Sequence, residues 1–166
     1  LSWDHSAMTD AAHLLDLARA RGIKVALAES CTGGMIAAAL TDIAGSSDVL
    51  DRGWVTYSNS AKMQMLGILS DTLDDFGAVS EEIAREMAQG AFDRSDAQIS
   101  LSVTGIAGPG ESEHKPEGRV CFGVATGDGV HTETVEFGAL GRGHVRAAAL
   151  AHALDLLTAG IVQFSI

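Results

Sequence analysis

Three short apolar runs in this chain turn polar at their carboxyl ends: KVALAE (24–29) into SCTGG, WVTYS (54–58) into NSAK, and QISLSV (98–103) into TGIAGPG. Helical spacing separates them. Ile36, Leu40 and Ile43 follow Gly34, and a short helix follows from about Ser60 to Leu66. Ile83, Met87 and Ala91 recur behind Ser80, and Glu81 and Glu82 suit the positive end of a helix dipole. Strands that alternate with helices favour parallel pairing, and open sheets of this kind bind ligands beyond the carboxyl ends of their strands. The three polar loops are therefore expected at one edge.

The rest of the chain completes that layout. Thr9 is placed to cap a first helix carrying Leu14, Leu15 and Ala18 and stopped by Gly22. After a Gly/Pro-rich loop (105–118), RVCFGVAT and VHTETVEF flank GDG, a hairpin signal. Val145, Ala149, His152 and Leu156 mark a last helix from about Gly143 to Thr158. The order predicts an α/β fold, a three-layer α/β/α sandwich around a mixed, mostly parallel sheet that includes a late antiparallel hairpin. At 166 residues and 46% hydrophobic content, the chain can fill one core. A single domain is expected over 8–166, with 1–7 a disordered or expression-derived N-terminal extension.

A formal net charge of −11, without a Lys/Arg cluster, argues against nucleic acid and anionic membrane as partners. No run reaches the roughly 18–20 uncharged apolar residues of a membrane span. Two cysteines make no disulfide framework, which points to a reducing, cytoplasmic setting. LGIL (66–69) and the apolar end GIVQFSI point to a homo-oligomer interface, although core packing explains them equally.

SCTGG ahead of a helix can cradle an anion or an oxyanion, because glycines let N–H groups approach and the helix start adds about half a positive charge. It can equally be a helix start capped by Ser30 or Thr32. It matches neither the P-loop nor the dinucleotide fingerprint. A nucleophilic Ser30 needs a base, and the histidines are distant in sequence, with only His114 placed to return through the fold. Lys62 is the alternative. At a pKa of about 10.4 it is neutral in about four molecules per ten thousand at pH 7, so burial beside Met63 and Leu66 has to lower that value. The plainer reading of Lys62 is an exposed helix lysine.

The spacing is not S-x-x-K, so such a pair would be assembled from separate loops. Cys31 is intrinsically the better nucleophile, but only one of two consecutive residues at a strand end faces a pocket. Cys31 is expected under the helix and Cys121 in the core. Thr104 can donate to a reacting oxygen or be structural. Glu29 can anchor loop amides, orient the lysine or cap. Arg142 and Arg146, four apart, put two guanidiniums on one face suited to phosphate, unless they are ordinary surface arginines. With no Cys-x-x-Cys or His-x-x-x-His, neither metal nor cofactor is expected.

Taken together, AESCTGG, TDIAGSS, RGWVTYSNSAK, GAVSEE and SVTGIAGPG resemble the CinA C-terminal domain family, the nicotinamide-nucleotide amidases, over roughly residues 10 to 160. The resemblance implies hydrolysis of nicotinamide mononucleotide to nicotinate mononucleotide and ammonia in pyridine-nucleotide salvage, by a stand-alone form of the domain. The family's serine falls on Ser30, its lysine on Lys62, the tyrosine of TYSN on Tyr57 and the hydroxyl before GIAGP on Thr104. Its last-helix arginines fall on Arg142 and Arg146. In the implied chemistry Ser30 attacks the amide carbon and neutral Lys62 takes its proton. Amides of Thr32, Gly33 and Gly34 and the Thr104 hydroxyl hold the oxyanion, with Gly105 beside the substrate. Tyr57 stacks on the pyridine or bonds the ribose, and the arginines hold the 5′-phosphate. Glu111 and His114 receive no role. The rival readings are an amidase for another small amide and a non-catalytic nucleotide-binding or regulatory module.

Overall fold

The computed structural model describes residues 5–164, and side chains from residue 10 onward. Residues 1–4 and 165–166 lie outside the described residues, and with them most of the expected N-terminal extension. The elements run α1 (His5–Arg21), β1 (Val25–Glu29), α2 (Met35–Thr41), a 3-10 turn (Ser46–Asp48), β2 (Leu50–Val55), α3 (Asn59–Leu66), α4 (Ser70–Phe76), α5 (Glu81–Asp93), β3 (Ile99–Gly105), β4 (Arg119–Thr126), β5 (Gly129–Glu136) and α6 (Arg142–Gln163).

The five strands form one sheet in the order β2-β1-β3-β4-β5. β1 pairs in parallel with both β2 and β3, whereas β3/β4 and β4/β5 are antiparallel. The loops after β1, β2 and β3 therefore leave the sheet side by side at one edge, as their polarity predicted. The hairpin closes through Gly127 and Asp128, with Thr126 opposite Gly129.

Helices cover both faces. On one, α1, α2 and α6 pack Leu14, Leu15, Ile36, Leu40, Leu154 and Leu157 against Leu27, Leu101, Val103 and Phe122. On the other, α3, α4 and α5 gather Leu66, Leu73, Ile83 and Met87 over Ala28. Strand alternation sends the large side chains of β3 to the first face and small ones to the second. There the Ser100 and Ser102 hydroxyls each donate at 2.6 Å to α5 carbonyls, those of Ala88 and Ala84. Opposite Ser102, Gly123 lets α5 approach, since a Cβ there would lie 2.6 Å from Ala84 O.

Several boundaries differ from those expected. α1 already runs through Thr9, which is therefore not its cap. β2 starts at Leu50 and ends at Val55 rather than spanning 54–58. The chain then turns into α3, whose cap Ser58 accepts from Ala61 N at 3.0 Å. α4 lacks an apolar stripe, burying only Leu73, and so had no periodic signal. In LGIL, Leu66 and Ile68 are core and Leu69 alone is an exposed large side chain, because the segment folds under α5. α6 runs past Thr158 to Gln163 and is long and apolar enough to cross a membrane. It spends that apolarity on the core, where Val145, Ala149, Leu150, Ala153, Leu154, Leu157 and Ile161 are buried.

Candidate active site

The loops after β1, β2 and β3, the last of them 105–118, form a cavity of about 280 Å³ with the α4–α5 connection and the start of α6. Ser30, Tyr57, Lys62, Thr104, Gly105 and Arg142 all line it, joined by Glu111 and Glu113. Among the described residues no histidine does, and His114 points no base at Ser30.

Ser30 sits one residue beyond β1, where its N–H still donates to Val103 O of the neighbouring strand at 3.0 Å. That bond fixes the backbone from which the hydroxyl projects. Lys62 approaches from the second turn of α3. Its Nζ lies 3.0 Å from Ser30 Oγ and 2.8 Å from Thr56 O, with Tyr57 O at 3.4 Å. The lysine is 1% exposed, so it is not the solvated helix residue that its sequence context allows. Burial pushes its amine below the ordinary lysine value, against the smaller upward pulls of Cys31 and Glu113. The adjacent Cys31 is also buried. Desolvation raises its thiol to about 11, which leaves little thiolate at neutral pH.

Glu29 ends β1 with its carboxylate under the start of α2. One oxygen accepts from Gly34 N at 3.2 Å and Ile36 N at 3.0 Å, and the other from Ala37 N at 3.0 Å. A carboxylate thus answers three of the orphan amides that begin a helix. Tyr57 lies at the mouth, 60% exposed. Arg142 donates to its hydroxyl at 2.6 Å and to Gly108 O at 2.8 Å, bridging two loops across the opening.

The CinA C-terminal domain family matches residues 8–161. The chain belongs to that family. It is 49% identical over 146 residues to "Nicotinamide-nucleotide amidohydrolase PncC" of Escherichia coli K12, covering 87% of this chain and 88% of that one. It is 54% identical over 115 residues to a "CinA-like protein" of Chloroherpeton thalassium, covering 69% of this chain but 27% of that one. The chain spans about a third of the length of the CinA relatives of that longer kind. The solved structure of competence/damage inducible protein CihA from Agrobacterium tumefaciens superposes with a TM-score of 0.93 at 44% identity, over 98% of this chain and 99% of that one.

Other expected site residues of this CinA domain are placed differently from the simple expectation. Gly33 N donates to Ser30 O at 3.0 Å, and Gly34 N is held by Glu29. Both amides are therefore committed to the turn. Those of Cys31 and Thr32 carry no backbone hydrogen bond among the described residues, but Thr32, Gly33 and Gly34 do not line the cavity, whereas Cys31 does. The Thr104 hydroxyl donates to Ala78 O at 2.8 Å, so its hydrogen anchors the α4–α5 connection. Gly105 backs the cavity, and a Cβ there would lie 2.7 Å from Val120 Cγ2.

Arg146 does not line the cavity. Its guanidinium donates to Cys31 O at 3.0 Å and Thr32 O at 3.3 Å, clamping the Ser30 loop onto α6. The four-residue spacing thus separates the arginines, one at the mouth and one behind the loop.

Two loop-organising residues of the domain, Lys115 and Glu117, were given no role by the sequence, although both lie in the GPGESEHKPEG segment, whose GP…KP.G frame resembles the family's. Glu117 accepts from Gly110 N at 2.7 Å and Gly141 N at 2.8 Å, tying the glycine loop to the start of α6. Lys115 donates to Phe76 O at 2.6 Å and Val79 O at 2.5 Å, fastening the same loop to the end of α4. Among the described residues no three His, Cys, Asp or Glu side chains cluster to hold a metal ion.

Proposed function

We propose that residues 8–166 of this CinA domain form one cytoplasmic amidase that hydrolyses the carboxamide of nicotinamide mononucleotide, giving nicotinate mononucleotide and ammonia. The observation that carries the reading is the surroundings of Lys62 Nζ: two backbone carbonyls and the Ser30 hydroxyl. A neutral amine has two hydrogens and one lone pair. With the hydrogens on Thr56 O and Tyr57 O, the lone pair faces Ser30 Oγ, the arrangement a general base needs.

Ser30 Oγ attacks the amide carbon as its proton passes to Lys62 Nζ. The oxyanion is held by the Cys31 amide, on the one residue after Ser30 in this loop that lines the cavity, such a donor being worth about 3 kcal/mol. Collapse of the tetrahedral adduct breaks the C–N bond, and Lys62 returns the proton to the departing ammonia. Water, deprotonated by Lys62, then attacks the acyl-serine and releases the carboxylate product. Arg142 and Tyr57 at the mouth receive the ribose phosphate. The 49% identity to the Escherichia coli amidohydrolase supports the substrate.

The test is ammonia release from nicotinamide mononucleotide with chelator present, compared with free nicotinamide. Turnover of the nucleotide alone is expected. Equal rates would move the reading to another small amide, and binding without ammonia would make the domain a non-catalytic module.

A further inference from the structure

The cavity wall carries a carboxylate that the amide chemistry does not use, that of Glu113. Glu113 stands at a φ of 53°, a left-handed conformation that costs a residue with a side chain. Its Oε2 accepts from Ala78 N at 3.1 Å, and Lys115 Nζ lies 3.9 Å away. The lysine's own hydrogen bonds go to the Phe76 and Val79 carbonyls, so it steadies the carboxylate without capping it. Oε1 makes no hydrogen bond among the described residues. Gly77 makes room for this seat, since a Cβ there would lie 2.7 Å from Glu113 Oε2. Backbone strain, a bare glycine and a flanking lysine all hold one carboxylate on the wall of the cavity that Ser30 and Lys62 share.

An amide-bearing pyridine joined to ribose through its ring nitrogen is a cation. Without a carboxylate such a ring would share the cavity with the Arg142 guanidinium and, once Ser30 has attacked, with the Lys62 ammonium. We propose that Glu113 is a specificity-determining residue, the counter-charge that makes this cavity prefer an amide on a cationic ring to the same amide on a neutral ring. The inference rests on the deamidase reading above and adds to it the feature of the substrate that is selected. Because Glu113 is partly exposed, solvent screens its charge, and removing it should cost the cationic ligand about 3- to 10-fold in affinity.

The experiment measures binding by calorimetry in a Ser30→Ala background, where no turnover occurs. The ligands are nicotinamide mononucleotide and its reduced dihydropyridine form, which keeps the carboxamide, ribose and phosphate but carries no ring charge. Glu113→Gln is expected to weaken the oxidised ligand about 3- to 10-fold and leave the reduced one unchanged, with Glu113→Asp restoring part of the difference. On the parent Ser30→Ala chain, raising ionic strength should narrow the gap between the two ligands, a readout that needs no substitution at Glu113. Equal weakening of both ligands would reduce Glu113 to a loop anchor and overturn the inference, as would no change in either. A matching effect from Glu111→Gln would overturn the assignment to Glu113. Failure of the unsubstituted protein to release ammonia would instead overturn the deamidase reading, and this inference with it.

Discussion

Lys62 Nζ stands 3.0 Å from Ser30 Oγ although 32 positions separate them, and both side chains are buried. The pairing exists because β1 and β2 are parallel neighbours, so the turn after one faces the helix after the other.

Ser30→Ala should abolish ammonia release by at least about a thousandfold while leaving the circular dichroism spectrum unchanged. Cys31→Ala should keep most of the activity, because a thiol raised to about 11 supplies almost no nucleophile. The paired assays separate the two candidates, and activity surviving in Ser30→Ala would rule out the serine.

Since burial lowers the Lys62 pKa, its neutral form should appear below the ordinary lysine value, about 10.4. Turnover should therefore rise with pH along a limb whose midpoint lies below that value, and Lys62→Met should lose both limb and activity. Stability carries the same sign. Between the folded and unfolded pKa values the unfolded chain binds more protons, so stability rises with pH through that window and is flat on either side for this group. Urea titrations of the two proteins across the alkaline range should differ by that slope.

Arg142 and Arg146 should fail differently. Arg142→Met removes the mouth guanidinium and should raise KM for the nucleotide about 10- to 100-fold, with kcat little changed. Arg146→Met releases the Cys31 and Thr32 carbonyls, so it should lower kcat and thermal stability with KM nearly constant. Steady-state kinetics on both variants decides this.

Glu29→Gln keeps one acceptor oxygen where the carboxylate serves three amides, a loss of about 1–3 kcal/mol. Its Tm should fall, and kcat with it, because the same amides set the Ser30 turn. Thermal melts and turnover measured on one preparation test the link.

Gly123→Ala should push α5 off the sheet, since the new Cβ would lie 2.6 Å from Ala84 O and 2.7 Å from Ser102 Oγ. Overpacking of this kind costs about 1–3 kcal/mol, and calorimetry should show a Tm lowered by several degrees.

The sequence by itself determined the strand–loop–helix alternation and the hairpin at GDG, which rest on local spacing and on residue types within a few positions. Ser30, Lys62 and Tyr57 were singled out by the resemblance to the CinA family, since their own spacing left a capped helix start and an exposed lysine equally open. It could not show α4, which buries one leucine, or the true limits of β2, where residues 54–58 read as strand but the chain turns after Val55. Only the tertiary structure decided the jobs of groups whose partners are distant. Arg146 became a backbone clamp, the Thr104 hydroxyl went to Ala78, and Glu113 and Lys115 met at Gly77. The physical reason is that a side chain's periodicity is set by its own element. Its hydrogen-bond partner and its dielectric are set by whichever elements the sheet order brings alongside.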